Sequence, residues 1–225
     1  MARPAEEAPD AAERSKRARI LGAAMGLFFE RGFAGTSTLD IASRARVSKR
    51  ELYAQFASKE EMLRICIEER SRLMRRPLDL PAARDRAGLA ATLIAFATAS
   101  VSEVCKPEVL ATYRLALAEA ERSPEVARTL IQSGREANRA ALRGFLAAAQ
   151  GSGLLGPGDP AEMAGAFLSL LWSDLMMQLL LRVEPPPGPV AVARRARRAT
   201  EALFVLYPPP EGDAVTAHPP SATAR

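Results

Sequence analysis

The sequence predicts an all-α protein in two parts, an N-terminal three-helix unit followed by a larger helical bundle. Three observations carry that prediction. Apolar residues fill 48% of the 225 positions but aromatics only 5%, and the apolar set is dominated by Ala and Leu, which favour helix. Apolar residues recur at helical spacing, and no segment shows the strict alternation of a half-buried strand. Clusters of Pro and Gly cut the periodic runs into ordinary helix lengths. No internal repeat is present.

The elements follow in order. Residues 1–12 are rich in Ala, Pro and Glu and read as a disordered tail. Ile20, Leu21, Ala24, Leu27 and Phe28 then make one apolar helical face. Gly32 ends this helix as a left-handed C-cap residue. Ser37 and Asp40 form a variant capping box that opens a short helix to about Arg44. Val47-Ser48 restarts a helix to about Gln55. Ser58-Lys59-Glu60-Glu61 is a further capping box and opens a longer helix to about Arg76. Pro77 and Pro81 break the chain, which places a boundary within 77–86 and a first domain at 13–76.

In residues 77–207 the helical runs are 86–105, 107–121, 124–150, 160–183 and 190–206. Pro107 suits a first helical turn, and glycines and prolines at 151–158 and 185–189 mark loops. Residues 208–225 read as a second disordered tail. Met163 to Val183 is apolar enough to resemble a membrane span, but Ser173, Asp174 and Gln178 sit in its middle. A central Asp costs roughly 2.5–3.5 kcal/mol in a bilayer, so a buried helix is expected and no membrane partner.

Charge and composition exclude whole classes. The single His, His218, lies in the C-terminal tail, which removes triads and His-ligated zinc. Cys66 and Cys105 are far apart and match no metal or redox spacing. No enzyme activity, cofactor or metal is expected. Glu6, Glu7 and Asp10 occupy the start with no apolar stretch behind them, so no export signal is expected and the compartment is the cytoplasm. The net charge of +5 sits entirely in residues 1–76, which hold 16 Lys/Arg against 11 Asp/Glu; residues 77–225 hold 15 of each. A basic N-terminal module on a neutral body points to a polyanion, nucleic acid first.

The three short N-terminal helices have the layout of a helix-turn-helix DNA reader. The first supports, the second (about 38–44) crosses the phosphate backbone and the third (about 48–54) enters the major groove. Val47, Leu52 and Phe56 face inward, which leaves Ser48, Lys49, Arg50 and Glu51 outward. Lys and Arg donate to guanine and Glu accepts from cytosine amino groups. Tyr53 and Phe56 can both be read as core residues. The Lys49–Arg50 pair is either a reading surface or a solvated face.

The pattern Arg19-Ile20-Leu21-x-Ala23-Ala24-x-x-Leu27-Phe28, Gly32-Phe33, Thr36-Ser37, Ile41-Ala42, Val47-Ser48, Leu52-Tyr53, Phe56, Ser58-Lys59-Glu60 resembles the tetracycline-repressor (TetR) family of bacterial regulators over about residues 14–66. The resemblance implies an all-helical homodimer with a DNA-binding head and a ligand-binding body. Thr36 and Ser37 match phosphate-touching positions, as do Tyr53 and Lys59. Ser48, Lys49, Arg50 and Glu51 fall on the base-reading stretch. One departure concerns the turn, where the family commonly has Ala-Gly-Val-Ser and this chain has Ala45-Arg46-Val47-Ser48. Arg46 is strained there if φ is positive, or it adds a phosphate contact.

The segment from Tyr113 to Glu125 resembles the body of a TetR subgroup often found near efflux and stress genes. Such bodies enclose an apolar cavity, and the candidate liners are Phe96, Tyr113, Phe145, Trp172, Met176 and Met177. Asp174 has three open roles: anchoring a cationic ligand, capping a buried hydrogen bond, or pairing with an Arg across a dimer. The helices at 160–183 and 190–206 are the expected dimer pair, through Phe167, Leu168, Leu171, Leu175, Leu203, Phe204 and Leu206. The cluster Arg194-Arg195-Arg197-Arg198 reads as a solvated face, with Val192, Ala196, Ala199 and Leu203 packing inward. The resulting reading is a dimeric repressor that holds a palindromic double-stranded operator and is released by a small apolar inducer. The alternatives are an activator or partner-controlled regulator, and a helical carrier that does not bind DNA.

Overall fold

The computed structural model describes residues 11–81 and 83–209. The remainder of both expected tails, with His218, lies outside the described residues; Ala11 and Ala12 already belong to the first helix. All regular structure among the described residues is helical.

Helix α1 (Ala11–Arg31) buries Ile20, Ala24, Leu27 and Phe28. It stops where Gly32 takes φ 78° and its N–H donates to the Phe28 carbonyl at 3.1 Å. Helix α2 (Thr38–Ala45) starts in the expected Ser37–Asp40 capping box. Arg46 then turns the chain at φ 54°, ψ 50°, the left-handed conformation that Gly adopts without strain. Helix α3 (Lys49–Gln55) is capped by Ser48, and helix α4 (Lys59–Arg75) by Ser58. Phe28, Phe33, Ile41, Leu52, Phe56 and Met62 lock these four helices into one core, each at most 1% exposed. That core continues into the body through Leu115, Ala116, Val126 and Leu130.

A 3₁₀ turn (Arg76–Asp79) leads to helix α5 (Arg86–Val104), which packs on α4 and on the last helix. Helix α6 (Pro107–Ala118) is shorter than expected. The expected helix 124–150 comprises α7 (Pro124–Thr129), a π-helical stretch (Leu130–Glu136) and α8 (Ala137–Gly151). Helix α11 (Pro189–Leu206) lies against α5 and buries Val192, Ala196, Ala199 and Leu203 as its pattern implied.

The expected continuous helix 160–183 is interrupted. It forms α9 (Pro160–Trp172) and α10 (Leu175–Leu181), bent by 48° at Ser173–Asp174. Ser173 adopts φ 42°, ψ −125°, close to the conformation of the first central residue in a type II′ turn. Two arginines satisfy carbonyls freed by the break and by the end of α10. Arg195 donates to the Leu171 carbonyl at 3.0 Å, and Arg114 to those of Leu179 and Leu180 at 2.8 and 3.2 Å. Arg195 is therefore half-buried and structural, while Arg194, Arg197 and Arg198 remain exposed. Helix α5 and the bent α9–α10 pair are each apolar enough, by length and composition, to cross a membrane. Both place large side chains in the protein core, among them Leu89, Leu93, Phe96 and Phe167.

Because Ser173 holds a conformation that favours glycine, Ser173→Gly relieves strain of about 1 kcal/mol net of glycine's chain entropy. Calorimetry is expected to show Tm raised by about 2–4 °C.

Candidate nucleic-acid interface and ligand cavity

The start of α3 is fixed by a capping box. At its start Ser48 accepts from the Glu51 N–H at 3.1 Å, while Glu51 accepts from the Ser48 N–H and hydroxyl, both at 2.9 Å. The other carboxylate oxygen of Glu51 accepts from Lys16 of α1 at 2.7 Å. These donors, Lys16 first and then Ser48, hold the Glu51 carboxyl down at about 2. Glu51, expected to face a base, is instead the clamp that fixes α3 on α1.

Two other expected contacts are also engaged inside the protein. Thr36 is 2% exposed and its hydroxyl donates to the Gly32 carbonyl at 2.8 Å. Lys59 donates to the carbonyls of Phe33 and Thr36 at 2.8 and 3.1 Å, with its ammonium 4.5 Å from the centroid of the Phe33 ring. Together they close the loop between α1 and α2. The short sequence distance between Thr36 and Ser37 hides this difference: Ser37 is exposed at the start of α2, where its hydroxyl caps the helix.

What remains outward is a compact cationic set. Arg46, Lys49 and Arg50 are exposed, and among the described residues none has a carboxylate within ion-pair distance. Tyr53 is 45% exposed, so it is a surface side chain, whereas Phe56 is core at 1%. The Tyr53 hydroxyl meets the Thr38 hydroxyl at 2.9 Å, which ties α3 to α2, and Lys49 lies 5.8 Å from the centroid of its ring. Arg44, by contrast, is neutralised by two bonds to Glu30 at 2.7 and 2.6 Å.

A cavity of about 920 Å³ lies between the head and the body. Of the expected liners, Phe96, Tyr113, Trp172 and Met176 face it. Phe145 does not; it packs against the body core. Met177 is 62% exposed on the far side of α10. Asp174 is exposed at the helix break, where it accepts from the Gln178 side chain at 2.7 Å, away from the cavity. The pattern gave no sign that α1 and α4 of the head complete the wall, through Arg17, Leu21, Met25, Cys66, Arg70 and Met74. Burial pushes the Cys66 thiol up to about 12 and raises the Tyr113 phenol, with the charge of Arg135 pulling the phenol the other way.

The residues expected at a dimer interface divide differently. Phe167, Leu171, Leu175 and Leu203 are at most 4% exposed within one protomer. Leu168 lines the cavity, and Phe204 sits 4.2 Å below the Arg86 guanidinium. Only Leu206 is open to solvent, at 56%, beside Val205 at 80%; Leu170 is the corresponding exposed residue of α9. Helix α9 is apolar around most of its circumference, so periodicity could not separate its inward face from an outward one.

A basic helix-turn-helix head joined to a helical body with an internal cavity defines a DNA-binding transcriptional regulator. Residues 20–65 match the tetR family of bacterial regulatory proteins, and residues 91–209 match the C-terminal domain of AefR-like transcriptional repressors. The chain belongs to the TetR family. Among solved structures it is similar to the flavonoid-responsive regulator FrrA, with 31% identity, 88% of this chain and 100% of that one covered, and a TM-score of 0.70. A TetR transcriptional regulator from Agrobacterium tumefaciens matches at 27% identity over 85% and 94% of the two chains, TM-score 0.68. A TetR family regulator from Pseudomonas syringae pv. tomato DC3000 matches at 27% over 88% and 98%, TM-score 0.65. No curated protein matches the chain.

The Glu51 clamp has a pH signature. Its carboxyl is depressed from 4.5 to about 2 on folding, so its contribution is complete above the unfolded value and disappears as pH falls through the folded one. In thermal unfolding between about pH 5 and pH 2, Glu51→Gln is expected to lower Tm at the upper end and to flatten the acid decline.

Proposed function

We propose that this protein is a homodimeric repressor that holds a palindromic DNA site and lets go when a small apolar-bodied molecule fills the cavity. The observation that carries this reading is the shared wall: one helix, α1, lines the cavity with Arg17, Leu21 and Met25 and grips α3 through Lys16. A ligand that displaces this helix alters how α3 is presented, and a ligand can shift the DNA-binding state only through such a differential contact. FrrA, described as flavonoid-responsive, supports a ligand with an aromatic or similarly apolar body.

On the DNA side, Lys49 and Arg50 read base edges, while Arg46 and Tyr53 hold phosphates; the Ser37 and Ser48 hydroxyls, expected at the DNA, already donate to Asp40 and Glu51 and cap α2 and α3 instead. Thr36 and Lys59 act by shaping the loop that presents α2. One seven-residue recognition helix spans few bases, so two heads about one DNA turn apart are needed. The outward apolar residues Leu170, Val205 and Leu206 on α9 and α11 suit the dimer contact. A cytoplasmic location accords with this role.

Fluorescence anisotropy on DNA from upstream of the protein's own gene, against scrambled competitor, tests the reading. Binding is expected to survive competitor and to weaken steeply with salt. Lys49→Ala with Arg50→Ala is expected to weaken it at least about 30-fold, from roughly 1–3 kcal/mol per base contact, with helicity retained; unchanged binding would place the reading surface elsewhere. Light scattering is expected to give twice the 24.2 kDa chain mass, and Val205→Asp with Leu206→Asp is expected to return it to the single value.

A further inference from the structure

The polar part of the cavity wall is one-sided. Five arginines line it, Arg14 and Arg17 on α1, Arg70 on α4, Arg135 in the π-helical stretch and Arg139 on α8, against two glutamates, Glu69 and Glu108. Arg70 is neutralised by Glu103 at 2.9 Å and Glu108 at 3.2 Å. Among the described residues no carboxylate lies within ion-pair distance of the other four arginines, so they face Glu69 alone. Glycine makes room for one of them: a Cβ at Gly165 would stand 3.1 Å from the Arg139 guanidinium.

The neutral polar groups point the same way. Ser100, on α5, is 4% exposed and its hydroxyl has no hydrogen-bond partner, although it lines the cavity. A buried hydroxyl without a partner loses its hydration for nothing in return. The Tyr113 phenol shares the wall and lies within the influence of Arg135. The rest of the wall is apolar and includes Phe96, Leu168, Trp172 and Met176. A wholly apolar guest would leave the Ser100 hydroxyl unanswered, and a cation would meet an excess of positive charge.

We infer that the cavity takes an amphipathic organic acid, its apolar body against Phe96, Trp172 and Met176 and its anionic group toward Arg135 and Arg139, one helical turn apart, with the Tyr113 and Ser100 hydroxyls on the same wall. This deepens the ligand-released reading above and rests on it only for the effect on DNA. The guanidiniums and hydroxyls donate charge-assisted hydrogen bonds to the acid, and the apolar body supplies most of the buried area.

Trp172 is the only tryptophan in the chain and lines the cavity, so its fluorescence reports occupancy directly. Dodecanoate, dodecanol and dodecylamine, each below its micelle concentration or solubility limit, share a twelve-carbon skeleton and carry an anionic, a neutral and a cationic head group. Titration of the full-length protein is expected to give dodecanoate at least about tenfold tighter than dodecanol, the factor of one charge-assisted hydrogen bond, with dodecylamine weakest. Arg135→Gln with Arg139→Gln is expected to abolish the preference for the acid while dodecanol affinity stays unchanged, which also shows the cavity intact. Equal affinities, failure of the acid to bind, or an undiminished preference in the variant would overturn the inference. Anisotropy of the DNA complex separates the two claims. Dodecanoate that binds as expected but leaves DNA bound upholds the ligand class and sinks the release reading. DNA release by dodecanol or dodecylamine and not by dodecanoate does the reverse.

Discussion

The arrangement of the whole molecule depends on helix α1 having two working faces. At 21 residues it is a rod about 32 Å long. Ile20, Ala23, Ala24, Leu27 and Phe28 lie on the face that builds the head. Arg14, Ala18, Leu21, Gly22 and Met25 recur at helical spacing on the face that closes the cavity. In the proposed release mechanism this one helix links the wall of the cavity to the support of α3. The core shared with Leu115, Ala116, Val126 and Leu130 strengthens that connection, because part of the body is packed inside the head.

The head spends much of its polarity on its own geometry. Thr36, Lys59 and Glu51 are all committed to partners within the fold. This leaves a small cationic set, Arg46, Lys49 and Arg50, with the half-exposed Tyr53 beside it. Uncompensated charge on a short helix is a poor stabiliser of that helix, but it is what a phosphate-lined groove attracts. Arg46 adds a second tension, since a left-handed turn that glycine adopts freely is occupied by a side chain able to carry charge toward DNA.

Local features were legible in the sequence, and distant partnerships were not. The Gly32 stop, the Ser37–Asp40 box and the inward stripe of α11 depend on neighbours a few residues apart, and each is where the pattern placed it. The break at Ser173 has only a weak local signal, the polar pair Ser173–Asp174 in an apolar run, because the arginines that stabilise it, Arg114 and Arg195, come from other helices. Lys16 and Glu51 are 35 residues apart and Lys59 and Phe33 are 26 apart, so their charges read as surface until the fold brought them together. The same limit applied to the cavity. Its aromatic lining was partly foreseeable from Phe96, Tyr113 and Trp172, but its arginines come from α1, α4 and the π-helical stretch running into α8, and these converge only in space.

The central claim is that the DNA-reading helix and the cavity wall are one mechanical unit through α1. Hydrogen exchange of the intact protein, free and bound to DNA from upstream of its gene, tests that claim most directly. The account predicts slowed exchange over Lys49–Gln55 together with altered exchange over the cavity-facing residues 17–25 of α1, because coupling between two sites is reciprocal. Protection confined to α2 and α3, with α1 unchanged, would contradict it.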